Sequence, residues 1–262
     1  MRASEIRSLT RQNLAGKWRK AALATLIFGL IVYAISFVLT FIPVVGPIIS
    51  AILSVPLSFG LLFTMFKLND GEEISYVSFL NEGFAKFGKV WSVTLHMFLK
   101  LIIPVILVAI FAALSTFNMF YLNSSLSTLG SFALYIITVI YMVYKSLLYT
   151  FSLYVLIDNP EITGKEAVNK SAELMKGNIW EYICLNLSFI GWGILAILPF
   201  LISCLIAFVS FLKTITRIPT ISPLAFNLII FSVVIFITSL LWLIPYMRIA
   251  KINFYRNLDG QI

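Results

Sequence analysis

His96, Lys100 and Lys145 are the residues of this chain best suited to chemistry in an apolar setting. His96 is the only histidine, and it stands one helical turn before Lys100. Pro104 follows four residues later and lacks the amide that would bond the Lys100 carbonyl, so an acceptor is left free beside the ammonium. Lys145 lies in a second apolar run with Ile136, Ile137, Val139, Ile140, Val143 and Leu147. A lysine at the centre of a span costs about 2.5–3.5 kcal/mol on insertion scales. Each apolar neighbour returns roughly 0.3–0.6 kcal/mol. Insertion is feasible, and something must solvate both ammonium groups. Two readings stay open. Freed carbonyls, tyrosine hydroxyls and water can satisfy the lysines. Alternatively, His96, Lys100 and Lys145 line a polar cavity for an anionic headgroup or solute, with both lysines facing the bundle interior.

Catalysis has less to build on. The chain has no Cys/His metal spacing, no glycine-rich phosphate loop and no His-Glu-x-x-His. Its eleven acids all fall in or near the polar segments. The expectation is a protein that is not an enzyme, with no metal and no cofactor.

The elements that carry these residues are membrane helices. Hydrophobic residues make up 60% of the 262 and charged residues 11%, with a mean hydropathy of +1.00. A soluble domain carries about 25% charge. Long apolar runs recur and predict six spans at 21–39, 48–66, 92–114, 131–156, 183–211 and 224–246. The fold class is an all-α polytopic bundle, a single integral membrane domain over 1–262. An uncharged loop is expected at 115–130, a tight turn at 41–47 and a short loop at 213–223. Cys184 and Cys204 lie on one predicted helix, about 30 Å apart at 1.5 Å per residue, and cannot pair within it.

Charge sets the expected orientation. Lys and Arg number six before the first span and three in each of the segments after spans two, four and six. The opposite side has only Lys213 and Arg217. The net charge of +8 therefore reflects the positive-inside rule and not a nucleic-acid partner. Both termini are expected in the cytoplasm.

Between Asp158 and Trp192 the sequence reads as a polar helix, a hinge and the start of a span. Thr163 and Glu166 have capping-box spacing. Ala167, Val168, Ser171, Ala172, Leu174 and Met175 make one apolar face, read either as lying on the bilayer or as capping the bundle at the interface. Gly177 suits the left-handed residue past a helix end, and Trp180 suits the membrane boundary. Similar short helices are expected over 4–15, with Ile6, Leu9 and Leu14 on the apolar side, and over 75–87, with Tyr76, Leu80, Phe84 and Phe87. A glycine then a tryptophan follows each helix: Gly16–Trp18, Gly88–Trp91 and Gly177–Trp180. The returning spans end alike, at Asn69-Asp70-Gly71, Asp158-Asn159-Pro160 and Leu258-Asp259-Gly260. These marks, in one order, point to three parallel hairpin repeats.

Gly177, Trp180, Gly191, Trp192, Pro245 and Tyr246 are marked as interface or hinge positions. Gly191 and Gly193, with Asn186 and Ser188, suit either helix–helix contact or a substrate path. Pro104, Pro199 and Pro245 are either hinges or fixed kinks.

Ser171, Leu174, Met175 and Gly177, then Leu187 to Trp192, then Trp242, Pro245 and Tyr246, and finally Asn253 to Tyr255 carry a family resemblance. The chain resembles bacterial domain-of-unknown-function family nine hundred seventy-five, over nearly its whole length. That family looks related to the membrane domain of some glycerophosphodiester phosphodiesterases, whose acidic and histidine metal ligands this chain lacks. The resemblance implies a bacterial cell-membrane protein and supplies no reaction. Two roles follow. One is a non-enzymatic protein that organises, senses or protects the membrane, or assists an exporter. The other is a small transporter or flippase for an anionic or amphipathic solute. Expected partners are membrane lipids and another membrane or cytoplasmic protein.

Overall fold

A computed structural model describes residues 2–122, 125–214 and 223–261. Among them the order is α1 (Ala3–Leu14), α2 (Trp18–Thr40), α3 (Val45–Asn69), α4 (Ser78–Ala85), α5 (Phe87–Phe117), α6 (Ser125–Leu148), α7 (Ser152–Asp158), α8 (Gly164–Met175), α9 (Ile179–Thr214) and α10 (Pro223–Leu258). Six stretches are long and apolar enough to cross a membrane: Trp18–Thr40, Val45–Asn69, Phe87–Tyr121, Ser125–Asp158, Ile179–Ser210 and Phe226–Leu258. The expected loop at 213–223 falls mostly on 215–222, outside the described residues. The expected loop at 115–130 is largely helical. α5 runs on through a π-turn at Asn118–Leu122, and α6 starts at Ser125. Asn118 ties these ends together, donating from Nδ2 to Ser127 O at 3.2 Å.

The three hairpins are joined in a circle. α1 packs chiefly on α10 and α9, α4 on α3, and α8 on α5, α6 and α7. Each short helix therefore covers the hairpin that precedes it, and the first closes on the last. The buried faces follow helical spacing. Ile6, Thr10 and Leu14 are buried on α1, and Ala167, Val168, Ser171 and Met175 on α8. The apolar face of α8 is covered by protein, so of its two readings the bundle cap holds and the bilayer-surface one is corrected. On α4, Phe79 and Gly83 are buried and Leu80 packs against the core, while Phe84, with Tyr76 and Phe87 to either side of the helix, is exposed. The reason is backbone contact: a Cβ on Gly60 would meet Phe79 O at 1.9 Å, and one on Gly83 would meet Pro56 O at 2.3 Å.

The returning helices meet at the end of the bundle that carries both termini. Phe66, Tyr154 and Tyr255 each stand four positions before Asp70, Asp158 and Asp259. Their rings form a triangle with centroid separations of 5.6, 5.7 and 6.2 Å. Phe151, Tyr182 and Phe254 pack around it. Such aromatic pairs are worth roughly 0.5–1.5 kcal/mol each beyond their buried area. The aspartates are tied across elements: Arg256 Nη2 donates to Asp70 Oδ2 at 2.7 Å, Lys170 pairs with Asp259 at 3.1 Å, and Gln261 donates to Asp158 at 3.1 Å. Buried amides finish the junction. Asn253 donates to Thr10 Oγ1 at 3.0 Å and accepts from Asn69 at 3.1 Å. Away from this end the spans are loosely covered. Only 6–17% of the apolar window is buried in five of them, against 44% in Val45–Asn69.

The fourth span breaks where the sequence shows no breaker. α6 stops at Leu148 and α7 starts at Ser152. Ser171 of α8 enters the gap. Its hydroxyl donates to Leu148 O at 2.9 Å and accepts from Phe151 N at 3.1 Å. A side chain inserted into the backbone ladder in this way fixes a bend. Ser171→Ala should therefore lower stability by about 1–3 kcal/mol, since it strands buried backbone groups. Ser8→Ala, whose hydroxyl bonds an exposed carbonyl on its own helix, should have little effect in the same unfolding assay in detergent.

Candidate functional site

The three residues singled out for chemistry do not form one cluster. His96 Nδ1 lies 2.7 Å from Ser92 O on its own helix. Lys100 reaches across to α8, donating to Asn169 Oδ1 at 2.6 Å, and its ammonium lies 5.3 Å from the Tyr149 ring centre. Lys145 lies 5.5 Å from the Tyr141 ring centre. It lines a cavity of about 310 Å³ with Asn169, Glu173 and Lys176. Asn169 therefore links the two lysines, and His96 is engaged elsewhere. α8 lies outside the six spans, so both lysines sit at the level of the polar helices. Glu173 of α8 lines the Lys145 cavity.

The marked interface positions separate into groups. Gly177 has φ +90 and turns the chain from α8 into α9, as Gly16 (φ +75) does between α1 and α2. Gly88, the corresponding mark of the second repeat, lies inside α5 without a positive φ. A Cβ on Gly191 or Gly193 would meet nothing within 4 Å, so neither is a close helix contact. Asn186 and Ser188 side chains donate to carbonyls of their own helix. Pro104, Pro199 and Pro245 all lie inside continuous helices. Trp180 and Trp192 are exposed.

Tyr246 belongs to a second cavity, of about 430 Å³, lined by Arg7, Arg11, Trp18, Trp192, Trp242 and Tyr246. Trp18 stacks on Trp242 with ring centres 4.3 Å apart and planes 13° from parallel. Tyr246 is 7% exposed, packs on Trp18 and Phe189, and donates to Arg7 O at 3.3 Å. Arg7 Nη1 donates to Ser188 O at 3.4 Å, while its Nε is buried with no hydrogen-bond partner. Arg7 and Arg11 escaped the sequence reading. The available signal was their i, i+4 spacing on a helix that leads into Trp18.

Among the described residues no cluster of histidine, cysteine or acid could hold a metal ion. A family model described as "Protein of unknown function (DUF975)" matches residues 1–261. The chain belongs to the DUF975 family. No curated protein and no solved structure matches it, and the relation to the phosphodiesterase membrane domain is not shown.

In this DUF975 chain α8 starts as its capping-box spacing predicts. Thr163 N donates to Glu166 Oε2 at 2.9 Å, and Glu166 N donates to Thr163 Oγ1 at 3.3 Å. The Thr163 amide, and next its hydroxyl, hold the Glu166 carboxyl below its ordinary value. A depressed folded-state pKa stabilises above the unfolded pKa, and that contribution is lost as pH falls through the folded value. Acidification should therefore fray the first turn of α8. Amide exchange at 164–166, corrected for intrinsic rates, should speed up below the ordinary carboxylate range. Glu166→Gln should abolish that pH dependence.

Proposed function

We propose that this DUF975 protein is a non-enzymatic multi-pass protein of the bacterial cell membrane that organises the lipid or the partner spans around it. The observation that carries this reading is where the protein is packed. Its core lies at the end bearing both termini, where three short helices interlock, while five of six spans bury only 6–17% of their apolar windows. In hydrocarbon, apolar surface gains nothing by leaving lipid, so such spans are at rest among lipid tails or against other helices. A transport path would instead be walled by the chain's own spans. Lys100 and Lys145 are engaged by Asn169 and Tyr141 beside α8, which suits anchoring better than conduction. The same packing suits an accessory subunit of an exporter, whose exposed spans are covered on assembly.

Reconstituted in liposomes with a fluorescent phospholipid, the protein should leave the dithionite-protected fraction at the protein-free level. Rapid loss of protection would overturn the scaffold reading in favour of a flippase.

Orientation follows from the lysine and arginine imbalance, which places the interlocked end in the cytoplasm. With Cys184 and Cys204 replaced, Glu72→Cys should resist an impermeant maleimide on intact cells, and Leu129→Cys should react. The opposite pattern would invert the topology.

A further inference from the structure

The three repeats create three corresponding niches, each between a short helix and the returning helix it covers. Lys145 and Tyr246 stand thirteen positions before Asp158 and Asp259, and Ala172 and Arg11 five before Gly177 and Gly16. The two described cavities thus occupy matching places, α8 over α6 and α1 over α10. The contents of the niches differ in kind. The niche of α4 over α3 is closed by the backbone contact at Gly60 and Gly83. The niche of α8 has a carboxylate in its own lining, Glu173, together with Lys145 and Lys176. The niche of α1 holds two arginines and no carboxylate in its lining. Among the described residues neither arginine has an ion-pair partner.

We propose that the α1 niche binds the phosphate headgroup of an anionic membrane lipid. Guanidinium groups match phosphate oxygens through paired N–H donors. Arg7 and Arg11 both line the cavity, and their guanidinium N–H groups not taken by Ser188 O are the donors for such an oxygen. The rest of the niche selects an amphiphile over a free anion. Three of the five tryptophans line it, the residue type that favours the boundary between headgroups and hydrocarbon. Ser188, bonded to Arg7, marks the polar level on α9, and Leu195 lies seven residues on, about 10 Å along the axis. Leu195, Ala196 and Leu243 line that apolar side, and Leu195 is 62% exposed. A volume of about 430 Å³ suits a headgroup and the first carbons of its chains. The remaining acyl length leaves sideways past Trp192 and Leu195 into the bilayer. This site goes beyond the scaffold reading and holds equally for a flippase, so the two fail independently.

Native mass spectrometry of the full chain in detergent, titrated with phosphatidylglycerol or phosphatidylcholine, tests it. The wild-type chain should retain one phosphatidylglycerol at least tenfold more tightly than phosphatidylcholine. Arg7→Gln with Arg11→Gln should remove that preference. Arg11 is exposed, so Arg11→Gln alone keeps the fold intact and should weaken retention severalfold. Lysine at both positions should recover only part of the affinity. Millimolar glycerol phosphate or inorganic phosphate should not displace the lipid. Equal retention of both lipids, or retention unchanged in Arg11→Gln, overturns the site. Displacement by either soluble phosphate overturns the lipid assignment and leaves a small-anion site.

Discussion

The aromatic triangle of Phe66, Tyr154 and Tyr255 exists where it does because water drives apolar groups together and lipid does not. Three hairpins made of apolar helices have no such drive to associate along their membrane lengths. They can be joined only where they emerge. Each contributes one returning helix to the triangle and one aspartate beside it, and the short polar helices lock neighbouring hairpins around that junction. The buried core and the sparse packing of the spans are two results of one constraint.

The junction also explains its own polar content. Thr64, Ser152 and Asn253 stand six positions before the three aspartates, and all three are buried. A buried polar group must find a partner. Thr64 meets Ser78 at the start of α4, Asn253 meets Thr10 of α1, and Ser152 donates to Tyr149 O at the helix break. The bonds of Thr64 and Asn253 have direction as well as strength, so they fix the seats of α4 and α1 on their hairpins. Apolar packing alone would tolerate sliding.

Features set by neighbours in sequence were legible in the sequence. The Thr163–Glu166 cap, the turn at Gly177 and the six apolar runs all depend on residues a few positions apart. Periodicity placed an apolar face on α8 and left bilayer and bundle open as its cover, and the bundle took it. For α4 the pattern did not show that Phe79 and Gly83 are buried, because Gly60 and Gly83 allow a backbone contact that no hydrophobic count registers. The break at Leu148 depends on Ser171, and the arginine-lined cavity on helices roughly 180 and 240 positions from Arg7. The uncharged stretch at 115–130 read as a loop from its polar residues, yet Thr116 bonds back to Ala112 O on its own helix and Asn118 donates across to Ser127 O.

Closure of α1 on α10 has a consequence in time. Thr10 of α1 and its hydrogen-bond partner Asn253 stand 243 positions apart, so synthesis separates them in time. At about 5–20 residues per second of synthesis, α1 waits roughly ten to fifty seconds for the helix that covers it. A basic helix with an apolar face spends such an interval on the bilayer surface, its charges among the headgroups. Docking of α1 on α10 waits until α10 has left the ribosome.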